Sequence, residues 1–329
     1  MTDGPQAPNP PESPFLIERL MRESARQFES QGYASEDAFR ENMQELLDSG
    51  LVESRAEHLK NDPQEMAQEL AFQAFESTDP NLALELVEKA LELDRECVDA
   101  MTIHAFLTAE DAAELIEKIE HAATHGEDRL GEDFFSEFMG DFWPMVEARP
   151  YMRTIKQLAQ VLWMVGRRFD AVDNYENLLE LDPADHMGHS QALLGCYLSM
   201  GEVQRSWDLL EEYDDDQSAI LQWAWVLVFL MAQDEEAAED ALEHALKMNI
   251  GAVPYLIGMV DQDGEPGLAP PAAGSDEEAE LCGLILGEAW RSKDEALFWL
   301  QQALLERGVI ELEDDEEEDD DGDEDWDED

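Results

Sequence analysis

The chain has 329 residues, 81 of them Asp or Glu against 20 Lys and Arg, a formal net charge of −61. That balance argues against a surface that grips nucleic-acid phosphates directly, while a hydrophobic fraction of 44% is too high for a chain disordered throughout. No apolar run approaches about 18 residues and the start, MTDGPQAPNPPESP, lacks a basic segment followed by an apolar one, so neither a membrane span nor a secretory signal is expected.

Three widely spaced cysteines, Cys97, Cys196 and Cys282, make no disulfide framework, and the cytoplasm is the expected compartment. Residues 1–14 are Pro-rich and read as a disordered leader. Residues 15–62 read as N-terminal helices. In FLIERLMRESARQF, Phe15, Leu16, Ile17, Leu20 and Met21 fall along one broad apolar face; in SEDAFRENMQELLDSG, Ser35 is an N-cap, Phe39, Met43, Leu46 and Leu47 form a stripe, and Gly50 is a stop. No segment alternates with period two, so the expected class is all-α.

Between 64 and 252 a unit of about 34 residues recurs, with an insertion at 124–151. In the unit 152–185, Ile155, Leu158, Ala159 and Leu162 form a first-helix stripe and Gly166 ends it. Ala171, Tyr175 and Leu178 mark a second helix, and Leu181-Asp182-Pro183 closes the unit. Residues 64–97 supply Leu70, Ala74, Ala83 and Ala90; residues 187–218 supply Leu193, Tyr197, Gly201, Ser206 and Leu210; residues 219–252 supply Trp225, Phe229, Ala238, Leu242 and Ala245. A weaker unit covers 98–123. This set resembles the tetratricopeptide repeat (TPR) family, with Ile155 where a Trp is usual and the aromatic after Gly166 one place late, at Phe169. The resemblance implies an α-solenoid of TPR-like helix pairs, each sealing its neighbour's apolar face.

A narrower resemblance, over 152–305, rests on GRRFDAVDNYENLLELDP, LLEEYDDDQSA, HALKMNIGAVPYLIGM and GSDEEAELCGLILGEAWRSKDEALFWL. Their order and spacing are similar to the C-terminal half of the suppressor-of-tumorigenicity-7 family. It implies TPR-like helices and carries over no enzymatic activity and no catalytic residue. Residues 262–275 then read as a Gly/Pro linker loop. Capping helices follow at 276–308, with Leu281, Ile285, Leu286 and Trp290 on the first and Ala296, Leu297, Leu300 and Leu304 on the second.

Residues 311–329, ELEDDEEEDDDGDEDWDED, hold sixteen acids and are expected to form a disordered acidic tail. Without them the body still carries 65 acids against 20 cations, only six of these Lys. Acids spread along almost the whole body favour adaptation to a salty cytoplasm, where counterions screen self-repulsion, over a basic partner. Trp326 is a candidate anchor by which the tail would dock on a basic groove, if it is more than a solvated aromatic.

No catalytic or metal signature stands out, and neither an enzyme nor a cofactor is expected. GHSQA, Gly188 to Ala192, falls one residue short of a nucleophile elbow and lies at a helix start rather than after a strand. His186 with His189, and His121 with His125, have metal-compatible spacing but no third ligand that singles itself out. The eight Trp lie mostly inside helices and read as core.

The most informative stretch is EARPYMRTIKQLAQVLWMVGRRFD. It has no acid between Glu147 and Asp170 yet holds Arg149, Arg153, Lys156, Arg167 and Arg168, a quarter of the chain's cations. Arg153, Lys156 and Gln160 share a first-helix face with Trp163 next along it, and Gln191 and Trp223 occupy the equivalent positions of the following units. Two readings stand: the cations pair with acids of neighbouring helices, or they floor a groove that takes an acidic or carboxylate-ended peptide, the chain's own tail included. The expectation is a non-catalytic protein–protein interaction scaffold. The alternative is an acidic charge-mimic or chaperone for basic, nucleic-acid-associated proteins, acting through the tail.

Overall fold

A computed structural model describes residues 13–31, 58–213, 218–260 and 271–310, with isolated positions at 38, 40, 41 and 44. Most of the expected leader, of the helix beginning at Ser35 and of the linker loop, together with the acidic tail and Trp326, lie outside the described residues. Every regular element among the described residues is helical, as the absence of period-two segments predicts. None of these helices is long and apolar enough to cross a membrane. The described residues divide into two compact units, one built from residues up to Tyr213 and one from Ser218 onwards. The run of predicted repeats is therefore shared between two units.

The first unit begins with α1 (Leu16–Gln31), followed by α2 (Pro63–Phe75), α3 (Pro80–Leu93), α4 (Val98–Thr108) and α5 (Ala112–Phe138). It continues with α6 (Arg149–Met164), α7 (Arg168–Leu181), α8 (His189–Met200) and α9 (Val203–Glu212). The helix starts are written locally. Asp62 and Asp79 precede Pro63 and Pro80; the Asp62 carboxylate accepts from the Gln64 and Glu65 amides, and Asp79 from that of Asn81. This satisfies donors that a helix start leaves orphaned, at positions where a proline lacks one anyway.

Successive helices pack as hairpins, α2 on α3, α4 on α5 and α6 on α7, and first helices touch first helices, α2 on α4 and α4 on α6. The seam of the first hairpin and α4 is lined by small residues, Ala67, Ala71, Ala74, Ala83, Ala90 and Ala100, all buried. Small side chains let helix axes approach closely, so the hairpin loses little packing volume to void. Helix α5 runs through most of the predicted insertion. Gly126 does not stop it: a Cβ there would lie 3.0 Å from the Tyr151 ring, so glycine permits close approach of α5 to α6. The break comes at Gly131, where φ is 77°.

The second unit contains α10 (Ala219–Met231), α11 (Glu235–Asn249), a 3₁₀ turn at Ile250–Ala252, the short α12 (Val253–Leu256), α13 (Asp276–Arg291) and α14 (Asp294–Glu306). The two helices read as a C-terminal pair form at the expected positions; α13 packs on α10 and on α14. Glu278 pins this unit together. Its buried carboxylate accepts from the Ala219 amide (3.0 Å), the Asn249 side chain (3.1 Å) and the Gly274 amide (2.7 Å).

Candidate functional site

Helix α1 lies across α2 and α6, and the contact is made by long side chains. Phe15 stacks on Phe72 of α2 with ring centroids 4.6 Å apart and touches Phe75 at 5.4 Å. Arg19 bridges Glu69 at 3.0 Å and Glu76 at 2.8 Å; Arg22 reaches Glu65 at 2.9 Å and donates to the Val146 carbonyl at 3.0 Å. Phe72 is ringed by three guanidinium groups, those of Arg19, Arg22 and Arg153, with Cζ 5.2, 5.9 and 5.8 Å from the ring centre. A π face attracts cations, and desolvated positions strengthen the effect.

Arg153 of α6 is the centre of the arrangement. Two of its nitrogens meet the two oxygens of Glu18 on α1, at 2.7 and 3.2 Å. On its other side it meets both oxygens of Asp99 on α4, at 3.0 and 2.6 Å, while Gln68 of α2 donates to Asp99 at 2.6 Å. Burial alone would lower the Arg153 pKa, but facing Asp99 and Glu18 outweighs it, and the guanidinium is held above its ordinary value. The side chains are 14, 5 and 1% exposed for Arg153, Glu18 and Asp99. The planar five-donor group thus clamps two carboxylates bidentately, one from the chain's own N-terminal helix.

The remaining cations of the 147–170 stretch are also accounted for. Arg149 donates to the Trp143 carbonyl at 3.0 Å and lies 4.2 Å over its ring, with its pKa lowered chiefly by burial. Arg167 pairs with Asp170 and Glu120, and Arg168 lies 4.8 Å over the Trp163 ring. Lys156 is half-buried, and burial pushes its pKa down against the partial support of Asp185. Of the two readings of this stretch, pairing with neighbouring acids describes Arg153 and Arg167.

The residues assigned to one face from sequence differ in their surroundings. Arg153 is covered by α1. Gln160, Trp163 and Gln191 are half-buried on α6 and α8. Trp223 is a correction: it lies in the second unit, fully buried, its indole donating to the Asn249 carbonyl at 3.1 Å. It is a core residue. Sequence reading placed Phe15 on an apolar face but missed Glu18, Arg19 and Arg22 in the other half of the contact, and put Ile17 on that face although it is 56% exposed.

The candidate chemical motifs resolve into structural roles. Ser190 donates to the Asp185 carboxylate at 2.5 Å, and that carboxylate also accepts from the His189 and Ser190 amides at 2.6 and 3.1 Å, capping α8. Burial raises the Asp185 pKa and those three donors partly offset the rise. His189 is buried beside Tyr175 with neither ring nitrogen hydrogen-bonded, and burial, then Lys156, lowers its pKa to about 3. His186 instead meets Asp182 at 2.7 Å, so the pair does not converge. His121 and His125 pack edge to face at 4.5 Å. Among the described residues no group of three or more His, Cys, Asp or Glu is placed to hold a metal. No family model matches the chain, and no curated protein matches it.

Proposed function

We propose that this chain is a non-catalytic interaction scaffold, a TPR-like array of helix pairs that receives a helical segment of a partner protein across the first helices of its N-terminal unit. The observation that carries the reading is the bidentate seat of Glu18 on Arg153: a helix remote in sequence is held there through charge and aromatic contacts. Hairpins with alanine seams and first-helix-to-first-helix packing support the TPR-like reading; the resemblance to the suppressor-of-tumorigenicity-7 family adds architecture only. The partner's chemistry is more specific than an acidic peptide. Alongside Arg153 the face offers Glu65, Glu69 and Glu76, so a purely acidic ligand meets repulsion there, whereas a helix carrying both signs in the right order meets a partner for each. The test is affinity capture from the native cell in multimolar KCl, comparing wild type, Arg153→Glu with Lys156→Glu, and a chain lacking residues 311–329. A partner lost only on charge reversal supports the scaffold. A partner lost only with the tail supports the charge-mimic reading and overturns this one.

A further inference from the structure

We infer that α1 is a built-in, exchangeable occupant of the partner-binding face. A partner helix competes with it by presenting the same signature: an aromatic residue, an acid three positions on, and cations four and seven positions on, as in Phe15, Glu18, Arg19 and Arg22. The inference rests on the scaffold reading and adds its regulation.

Two observations set α1 apart from a permanent core helix. Its buried positions mix Phe15 and Leu20 with Glu18, Glu23 and Ser24, and the Ser24 hydroxyl has no hydrogen-bond partner. Buried carboxylates are costly unless paired, and a buried pair gives register and orientation more than net attraction. Its charges also alternate against the face: α2 supplies Glu65, Glu69 and Glu76 to the arginines of α1, and α6 supplies Arg153 to Glu18. An interface of paired charges around one aromatic stack is exchanged at little cost by a second helix that offers the same pairs. Because α1 is tethered, it competes at a local concentration on the order of millimolar, so the closed chain binds partners weakly until α1 is displaced.

The probe is a labelled synthetic peptide of residues 13–31, titrated into the full-length chain and read by fluorescence anisotropy. Glu18→Arg and, separately, Phe15→Ala are made in the chain, not in the peptide; the first lies on α1 and the second immediately before it, and both leave α2, α4 and α6 unaltered. The expected result is at least tenfold tighter peptide binding by each variant than by wild type, abolished when Arg153→Glu is added. Equal binding by variant and wild type overturns the inference. So does loss of the cooperative melt of the whole first unit in both variants, which would make α1 part of the core. Wild-type dimers that exchange subunits and take up no peptide would assign the face to a second copy and overturn the cis arrangement. The scaffold reading fails separately: peptide binding that obeys these rules, with no partner captured from the cell by the opened variants, leaves α1 exchangeable and removes the partner. A partner captured equally by wild type and opened variants leaves the scaffold and removes the control by α1.

Discussion

Replacing Arg153 by Met removes one charge from the centre of the first unit while keeping a long side chain of similar reach. Asp99, 1% exposed, then retains Gln68 but loses its countercharge, and Glu18 is left with the longer contact to Arg22 at 3.4 Å. Removing one partner of a buried ion pair typically costs about 3–5 kcal/mol. For a unit of this size each kcal/mol is worth about 2–4 °C, so the expected loss in Tm is on the order of 6–20 °C. Release of α1 rehydrates Glu18 and brings the loss towards the lower end; Asp99 has no such escape. Adding Glu18→Gln and Asp99→Asn to Arg153→Met neutralises both acids that faced Arg153 and is expected to regain at least half the loss. Urea and thermal unfolding followed by circular dichroism at fixed KCl read both changes. A loss below about 1 kcal/mol, the level of an exposed pair, or no recovery in the triple variant, refutes the reasoning.

Further outcomes follow from other buried groups. His189 has a folded pKa near 3 against an ordinary 6.5, so the unfolded chain binds the extra proton between those values. Its contribution is therefore complete above pH 6.5 and falls as the pH drops towards 3, by up to about 1.4 kcal/mol per pH unit. His189→Phe beside Lys156, Asp185 and Tyr175 is expected to flatten that part of the stability curve, and parallel curves for the two proteins would contradict it. Glu278→Ala leaves the Ala219 and Gly274 amides without their acceptor, while the Asn249 amide group keeps the Ser275 carbonyl, an expected cost of about 2 kcal/mol or more, confined to the second unit. A single shifted transition in differential scanning calorimetry is the check; an unshifted one contradicts the assignment. Burial pushes the Cys97 and Cys282 thiols up to about 12, and Cys196 is buried too, so a disulfide reagent at pH 8 is expected to modify all three only after unfolding.

Much of the helical hairpin plan is legible because it is local. Asp-Pro starts at 62 and 79, the stripe Ile155, Leu158, Ala159 and Leu162, and the stop at Gly166 all act within one or two turns. The contact between Glu18 and Arg153 was not legible, since no periodicity links residues so remote in sequence. A signal was present: Arg19, Arg22 and Arg26 repeat at helical spacing in a chain poor in cations, much as Arg149, Arg153 and Lys156 do. Two clusters of scarce charge, each beside aromatic residues, point to a shared destination. Trp223 was misplaced for a different reason. Helix α10 reads AILQWAWVLVFLM, apolar on every side, and such a helix is buried on most faces whatever its position in a repeat. The close approach at Gly126 was not legible either, since only the Tyr151 ring reveals it.

The most direct measurement is hydrogen exchange by mass spectrometry on the intact chain, with the amides of Leu16–Gln31 followed separately from those of Arg149–Met164. Exchangeable docking predicts that α1 opens at least tenfold more readily than α6, and that Glu18→Arg frees α1 while α6 stays protected. Equal protection of the two helices, lost together in the variant, would make α1 a fixed part of the core and contradict the account.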